Sequence, residues 1–325
     1  MRRRGEFISL LGGAAAWPLA ARAQQPATPV IGFMHATAGA ESGLFAAFKE
    51  GLRQTGYIDG RNVTIEFHSA EGQYDRLPAI AEEFVRRQVN LIAVGTPVAA
   101  LAAKRATSSI PIVFAVGSDP TRDGLVASLS RPGGNVTGAT FFSNLLTAKR
   151  LGLLHELAPS ARRFSALVNP KNANAQFQTQ EAEQAAQSLG AQIGFVNAST
   201  ETDIEKAFDG FRQQQADALL VLSDSFLNSH ARRIAELALL HALPTCFAYR
   251  ELAIAGGLMS YGASRNDASH QSGIYAGRIL NGEKPADLPV QQPTKFEFVI
   301  NMKTARALGL VVPYSMQMLA DEVIE

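Results

Sequence analysis

One pattern occurs twice in this chain, and that repetition limits the possible folds more than any other feature. Residues 91–94 are an apolar run followed by a polar turn, a helical stretch, the pair Ile110-Pro111 and a second apolar run. Residues 219–222 are likewise followed by a polar turn, a helical stretch, Leu243-Pro244 and another apolar run. Apolar runs without polar alternation suit parallel strands covered on both faces, and strands alternating with helices build a parallel sheet between two helical layers. Two such halves predict two similarly built α/β lobes. A length of 325 residues lets each lobe bury its own core.

The first half reads as strands over 30–34, 62–68, 90–94 and 110–116, with helices over 44–55, 74–87 and 98–105. Residues 123–129 read as a short helix, and 136–141 as a strand leading away from the first lobe. The second half reads as helices over 146–157, 177–189, 203–214 and 232–241 and strands over 163–168, 192–197, 218–222 and 244–249. The remaining pieces, a strand over 257–261, a helix over 269–280, a strand over 296–300 and a helix over 303–308, are too few for a third core. They are expected to return and complete the two lobes, with crossings near 142, 263 and 290 forming a hinge.

The first residues differ in kind. Arg2, Arg3 and Arg4 precede an apolar, small-residue run over 7–21, and Ala21-Arg22-Ala23 follows, a pattern expected of an export signal cleaved after Ala23. Phe7 and Ile8 after the arginines resemble a twin-arginine signal, but Gly5 and Glu6 add one residue too many, so the twin-arginine and Sec routes both stay open. The run falls short of the ~20 residues a bilayer span needs and contains Gly12, Gly13 and Pro18. Losing residues 1–23 changes the formal charge from +1 to −2, which offers no basic face for nucleic acid. Cys246, the single cysteine, excludes an internal disulfide and reads as a buried thiol in an apolar run.

No G-x-S-x-G, H-E-x-x-H, G-x-x-x-x-G-K-[ST] or G-x-G-x-x-G motif occurs, and the six histidines are scattered singly. These absences argue against hydrolase, metalloprotease and nucleotide-binding readings and against a metal site. What remains is a set of short polar clusters, each just beyond a predicted parallel strand, where ligands bind in open α/β sheets. From the first lobe these are His35 with Thr37, Gly95 with Thr96, and Ser118 with Asp119 at the end of the run Pro111 to Pro120. From the second they are Asn169 with Asn172, Ser223 with Asp224, and Tyr249 with Arg250 and Glu251. Backbone and hydroxyl donors suit a carboxylate, Asp119 or Asp224 suits an ammonium group, and Tyr249 offers an aromatic wall. Each has a plainer reading: Thr96 as the start of a helix, Asn169 and Asn172 as turn or cap residues, Arg250 with Glu251 as a solvated pair, His35 as a solvent-facing loop residue.

Four stretches also carry a family resemblance: Glu71-Gly-Gln-Tyr-Asp-Arg-Leu-Pro78, Ser130-Arg-Pro-Gly-Gly-Asn-Val-Thr-Gly138, Ala255-Gly-Gly-Leu-Met-Ser-Tyr-Gly262 and Gln292-Pro-Thr-Lys-Phe-Glu-Phe-Val-Ile-Asn301. Through them the chain resembles the solute-binding proteins of ABC transporters, in the tryptophan/tyrosine-type group. The resemblance implies a type I periplasmic binding fold, with two Rossmann-like lobes, three crossovers, closure on a small solute, and delivery to an inner-membrane permease with its ATPase. It departs from the group at Leu222-Ser223-Asp224-Ser225, where many members have a Gly-Ala-Asp-Pro-like turn, and at the variable loop 35–41.

The expected organisation is thus a signal over 1–23, an N-terminal lobe of 28–142 plus 264–290, and a C-terminal lobe of 143–263 plus 291–325. The expected protein is a periplasmic monomer without cofactor, closing like a hinge on a small polar solute. An aromatic amino acid is the cargo that the resemblance implies. Two rivals are a sensor subunit that docks on a membrane receptor and a periplasmic enzyme pairing Asp119 with Asp224 as acid and base.

Overall fold

In the computed structural model the described residues are 28–37, 39 and 42–325, so the expected signal segment lies outside them. The first sheet has five strands in the order β2-β1-β3-β4-β5. They are β1 (Val30–His35), β2 (Thr64–Ser69), β3 (Leu91–Val94), β4 (Ile112–Val116) and β5 (Val136–Thr140), all parallel. The helices α1 (Gly43–Gln54), α2 (Leu77–Arg86) and α3 (Pro97–Ala106) connect the first four.

The second sheet has seven strands in the order β12-β11-β10-β9-β8-β6-β7. These are β6 (Arg163–Val168), β7 (Gln192–Asn197), β8 (Ala218–Val221), β9 (Thr245–Phe247), β10 (Met259–Ala263), β11 (Phe296–Asn301) and β12 (Glu322–Ile324). All neighbours run parallel except β10 and β11, which are antiparallel. The larger helices here are α4 (Thr147–Leu157), α5 (Ala175–Ser188), α6 (Glu201–Gln213) and α8 (Ala231–Leu240), while α10 (Arg265–Leu280) belongs with the first sheet. Shorter ones are α7 (Ser225–Ser229), α9 (Arg250–Ile254), α11 (Met302–Ala307) and α12 (Tyr314–Leu319).

Each sheet separates two apolar layers. Phe84, Ile92 and Phe114 lie on one side of the first, with Phe33, Phe48 and Tyr275 on the other. Around the second sheet, Phe208, Phe211 and Phe247 lie on one side and Phe164, Leu220 and Cys246 on the other. The central strands are buried over their whole length, which is why they read as unbroken apolar runs.

Three differences from the sequence reading have local causes. Residues 123–129 form turns, because Gly124 adopts φ +70° and the Pro120 carbonyl accepts from both Leu125 and Val126. The strand at 136–140 does not lead away; it is β5, an edge strand in register with β4. The short helices α7 and α9 each start just beyond a strand, within stretches read only as polar turns.

The chain leaves the first sheet after β5, passing through Phe142, a non-glycine residue at φ +44°. It comes back after β10 as α10, which packs on α1, β4 and β5. Glycines set how closely α10 can lie. A β-carbon at Gly273 would stand 2.0 Å from the Phe48 carbonyl oxygen, and one at Gly51 would stand 1.9 Å from that of His270. Backbone against backbone leaves no room for a side chain, so Gly273→Val is expected to cost about 1–3 kcal/mol through overpacking. A lowered thermal midpoint would show it, whereas Gly152→Ala, inside α4 with no atom within 4 Å of the added β-carbon, should leave the midpoint unchanged or slightly raised.

Candidate functional site

A cavity of about 290 Å³ lies where the strand ends of the two sheets face each other. Its first wall comes from Phe33 and His35 on β1, Thr37, the start of α1, Gly95 and Gly117. Its second comes from Phe141, Asn144, Asn172, Ser223, Asp224 and Tyr249, and Arg265, Asn266 and Ser269 at the start of α10 close it.

Asp224 is the most heavily bonded group in it. Its side chain is 5 % exposed and caps α7: Oδ1 accepts from the Phe226 amide at 2.9 Å and the Leu227 amide at 3.1 Å. Asn169 Nδ2 donates to the same oxygen at 3.0 Å. The other oxygen faces across the cleft and accepts from the Tyr74 hydroxyl at 3.0 Å. Burial pushes the Asp224 carboxyl up from its ordinary value, against the pull of these hydrogen bonds. Tyr74 is held protonated by burial and by the neighbouring carboxylate, and its oxygen in turn accepts from the Phe226 amide at 3.0 Å.

Two more contacts join the walls. Thr37 Oγ1 donates to the Ser225 carbonyl at 3.4 Å. Arg122 reaches over to Asn174 Oδ1 at 2.8 Å and stacks 3.4 Å above the Phe177 ring. The lobes are therefore in contact around the cavity rather than splayed apart.

Seven of the residues picked from the sequence line the cavity: His35, Thr37, Gly95, Asn172, Ser223, Asp224 and Tyr249. The other four lie outside its lining, each for a local reason. Thr96 caps α3 by accepting from the Ala99 amide at 3.4 Å. Ser118 is fully buried, and its carbonyl accepts from Thr140 Oγ1 at 2.8 Å. Asp119 folds back on its own loop, with Oδ1 accepting from the Thr121 amide at 2.8 Å and the Arg122 amide at 3.3 Å. Asn169 stands behind Asp224 and orients it.

Asp119 and Asp224 thus do not form an acid–base pair across the cleft. Nor is His35 solvent-facing: it ends β1 at 4 % exposure, with its ring against Gly95, where a β-carbon would stand 2.3 Å from His35 Cδ2. Arg250 pairs with Glu322, while Glu251 lines the cavity and lies 3.6 Å from Arg265.

The sequence reading missed Tyr74, Phe33, Phe141 and Arg265. Tyr74 sits inside the first of the family-like stretches, but as the start of a helix it carried no sign of a role across the cleft. Arg265 follows the N-cap Ser264, and its guanidinium lies 4.4 Å over the Tyr249 ring. Among the described residues no cluster of His, Cys, Asp or Glu is placed to hold a metal, and no helix is long and apolar enough to cross a membrane.

Residues 37–324 match the family of ABC transporter substrate binding proteins. The chain belongs to that family. This binding protein is similar to a tyrosine-binding protein of Clostridioides difficile, 29 % identical over 264 residues, covering 81 % of this chain and 75 % of that one. An ABC domain from Streptococcus pneumonia in complex with L-Trp has 25 % identity and a TM-score of 0.82, covering 91 % of this chain and all of that one. The ligand-free, open structure of a substrate binding protein with adhesive properties from Clostridium difficile has 26 % identity but a TM-score of 0.64, covering 91 % and 99 %. At matched identity and coverage, the binding protein fits the ligand-bound relative better, in agreement with the contacts that Tyr74, Thr37 and Arg122 make across its cleft.

Burial, aided by the Arg265 charge, depresses His35 from 6.5 to about 3, so the ring facing the cavity is neutral at neutral pH. Between 6.5 and about 3 the unfolded chain binds one proton more at this site than the folded protein. Stability is therefore fully present above the unfolded value and falls as pH drops through that window, by up to about 1.4 kcal/mol per pH unit. His35→Asn should flatten this part of the profile, checked by urea unfolding of both proteins between about pH 7 and about pH 5. Equal slopes would show that His35 does not titrate in this way.

Proposed function

We propose that this binding protein is the exported, periplasmic solute-capturing component of an importer, and that it closes on an amino acid with an aromatic side chain. The observation that carries the reading is one cavity holding charges of both signs between aromatic walls. Arg265 supplies the cation, Asp224 and Glu251 the anions, and Phe33, Phe141, Tyr74 and Tyr249 the rings. A zwitterion satisfies both signs at once, with its ammonium at the Asp224 oxygen bonded to Tyr74 alone among the described residues and its carboxylate on the Arg265 side. The volume of about 290 Å³ is just below the ~300–1,000 Å³ range of small-molecule sites, which suits a ligand as small as a single amino acid. The names of the tyrosine-binding and L-Trp-bound relatives support the aromatic class.

In this reading 28–142 plus 264–290 and 143–263 plus 291–325 move as two bodies about the crossings. The permease, with its ATPase, recognises the closed form that the ligand favours. The arginine-led segment ending at Ala23 directs export.

Thermal unfolding against the common amino acids tests the cargo. A ligand at ~100 times its dissociation constant stabilises by about 2.7 kcal/mol, so L-tryptophan, L-tyrosine or L-phenylalanine should raise the midpoint. Asp224→Asn keeps a good helix cap but loses the negative charge, and should weaken binding of the amino acid about tenfold or more. A midpoint raised by a sugar or polyol and by no amino acid would overturn the aromatic cargo.

A further inference from the structure

Behind the cavity lies a charge that the proposed function does not use. Arg150 on α4 has no exposed surface and, among the described residues, no carboxylate as a hydrogen-bond partner. Its Nη1 donates to Ser143 Oγ at 3.3 Å, and its Nη2 donates to the Ser143 carbonyl at 2.8 Å and to Thr147 Oγ1 at 3.3 Å. Ser143 Oγ in turn donates to Ser223 Oγ at 3.1 Å, and Ser223 Oγ lies 2.7 Å from the Tyr249 hydroxyl. The chain of hydrogen bonds therefore runs from a buried guanidinium to two hydroxyl-bearing residues that line the cavity.

Proton counting fixes what the far end of that chain presents. A guanidinium only donates, so Ser143 Oγ accepts from Arg150, and the geometry directs its own proton to Ser223. Ser223 and Tyr249 have two hydroxyl protons between them, and the bond joining them uses one. The second has no acceptor among the described residues, whichever of the two donates to the other. One O–H is thus left over at the cavity wall. Ser223 is also held in place, since Gln178 accepts from its amide at 2.8 Å and donates to its carbonyl at 3.0 Å, and Asn172 donates to that carbonyl at 2.9 Å.

We infer that the Ser223–Tyr249 hydroxyl pair, fed by Arg150 through Ser143, is the subsite for the ligand's anionic oxygen and makes a carboxylate a requirement for tight binding. The pair offers a donor and no need for one, and the buried charge at the other end of its hydrogen-bond chain, Arg150, is positive. The Arg265 guanidinium, stacked on the Tyr249 ring, adds a second cation on the same side. Asp224 follows Ser223 directly in the chain, which places an anion-seeking and a cation-seeking group side by side, as a zwitterion's two charges are. This inference rests on the amino-acid reading of the cavity and adds the residues that select the acid group.

Calorimetric titration with three probes tests it: L-tryptophan, indole-3-propionate, which lacks the ammonium, and tryptamine, which lacks the carboxylate. Either single variant leaves one hydroxyl able to donate, so the informative change is Ser223→Ala combined with Tyr249→Phe. It should weaken L-tryptophan and indole-3-propionate about tenfold or more, the loss of a charged hydrogen bond, and leave tryptamine unchanged. Arg150→Met removes the buried positive charge and the donor that holds the Ser143 hydroxyl in orientation, and should weaken the same two probes, while Arg150→Lys, still a donor-only cation, should restore them. Equal losses for all three probes, or tryptamine binding to wild type as tightly as L-tryptophan, would overturn the subsite. Wild type that ignores L-tryptophan but takes indole-3-propionate or a non-aromatic amino acid, and loses it in the double variant, would discard the aromatic amino-acid cargo and keep the subsite.

Discussion

A buried carboxylate has to be satisfied from somewhere, and at Asp224 the partners come from both sides of the cleft. Its own lobe supplies three donors to one oxygen, two from the first turn of α7 and one from Asn169. The other oxygen is completed by Tyr74, which is 150 residues away and belongs to the helical turn before α2. Separating the lobes would exchange Tyr74 for water. Hydrogen bonds to charged groups contribute about 1.5–3 kcal/mol each, and desolvating the carboxylate opposes that gain, so Tyr74 offsets part of the cost of burying Asp224. In the proposed function, the ligand's differential affinity for the closed form decides the balance between open and closed.

Arg150 is a second buried charge close to the same segment, and its treatment is the opposite. Asp224 is surrounded by donors and spans the cleft; Arg150 is surrounded by hydroxyl and carbonyl oxygens and stays within α4 and the turn before it. Burial without a counter-ion lowers the tendency of Arg150 to stay charged, and the partial negative charges of Ser143 and Thr147 offset only part of the cost. A cation at this position makes structural sense if an anion arrives in the cavity. The backbone of Ser223 and Asp224 then separates a positive region from a negative one over two consecutive residues.

Much of the architecture was legible because buried parallel strands write themselves as apolar runs, and because Gly, Pro and polar turns mark their ends. The site was legible only in part. Thr96, Asp119 and Asp224 look alike in sequence, each a small polar residue just past a strand, yet only Asp224 reaches the cavity. Asp119 is followed by Pro120, Thr121 and Arg122, and the Thr121 and Arg122 amides with the Thr121 hydroxyl close round its Oδ1 and keep it in its own loop. Thr96 spends its oxygen on Ala99. Tyr74, Arg150 and Arg265 were out of reach for another reason: their partners depend on how the chain folds back, and no local pattern encodes which residue will stand opposite across a cleft.

What separates Asp224 from Asp119 and Thr96 is hydrogen-bonding capacity left over once local structure is satisfied. Asp119 and Thr96 have their bonding directed into their own turns. Asp224 keeps one oxygen for the far lobe and the cavity, and the Ser223–Tyr249 pair keeps one proton. Arg265 keeps a guanidinium whose carboxylate partner among the described residues, Glu251, is as far as 3.6 Å away. These leftovers differ in sign and lie around one volume, and in the proposed reading a ligand with a donor cation, an acceptor anion and an apolar body completes them together. The specificity of the site is in this sense the complement of what the fold itself has failed to pair.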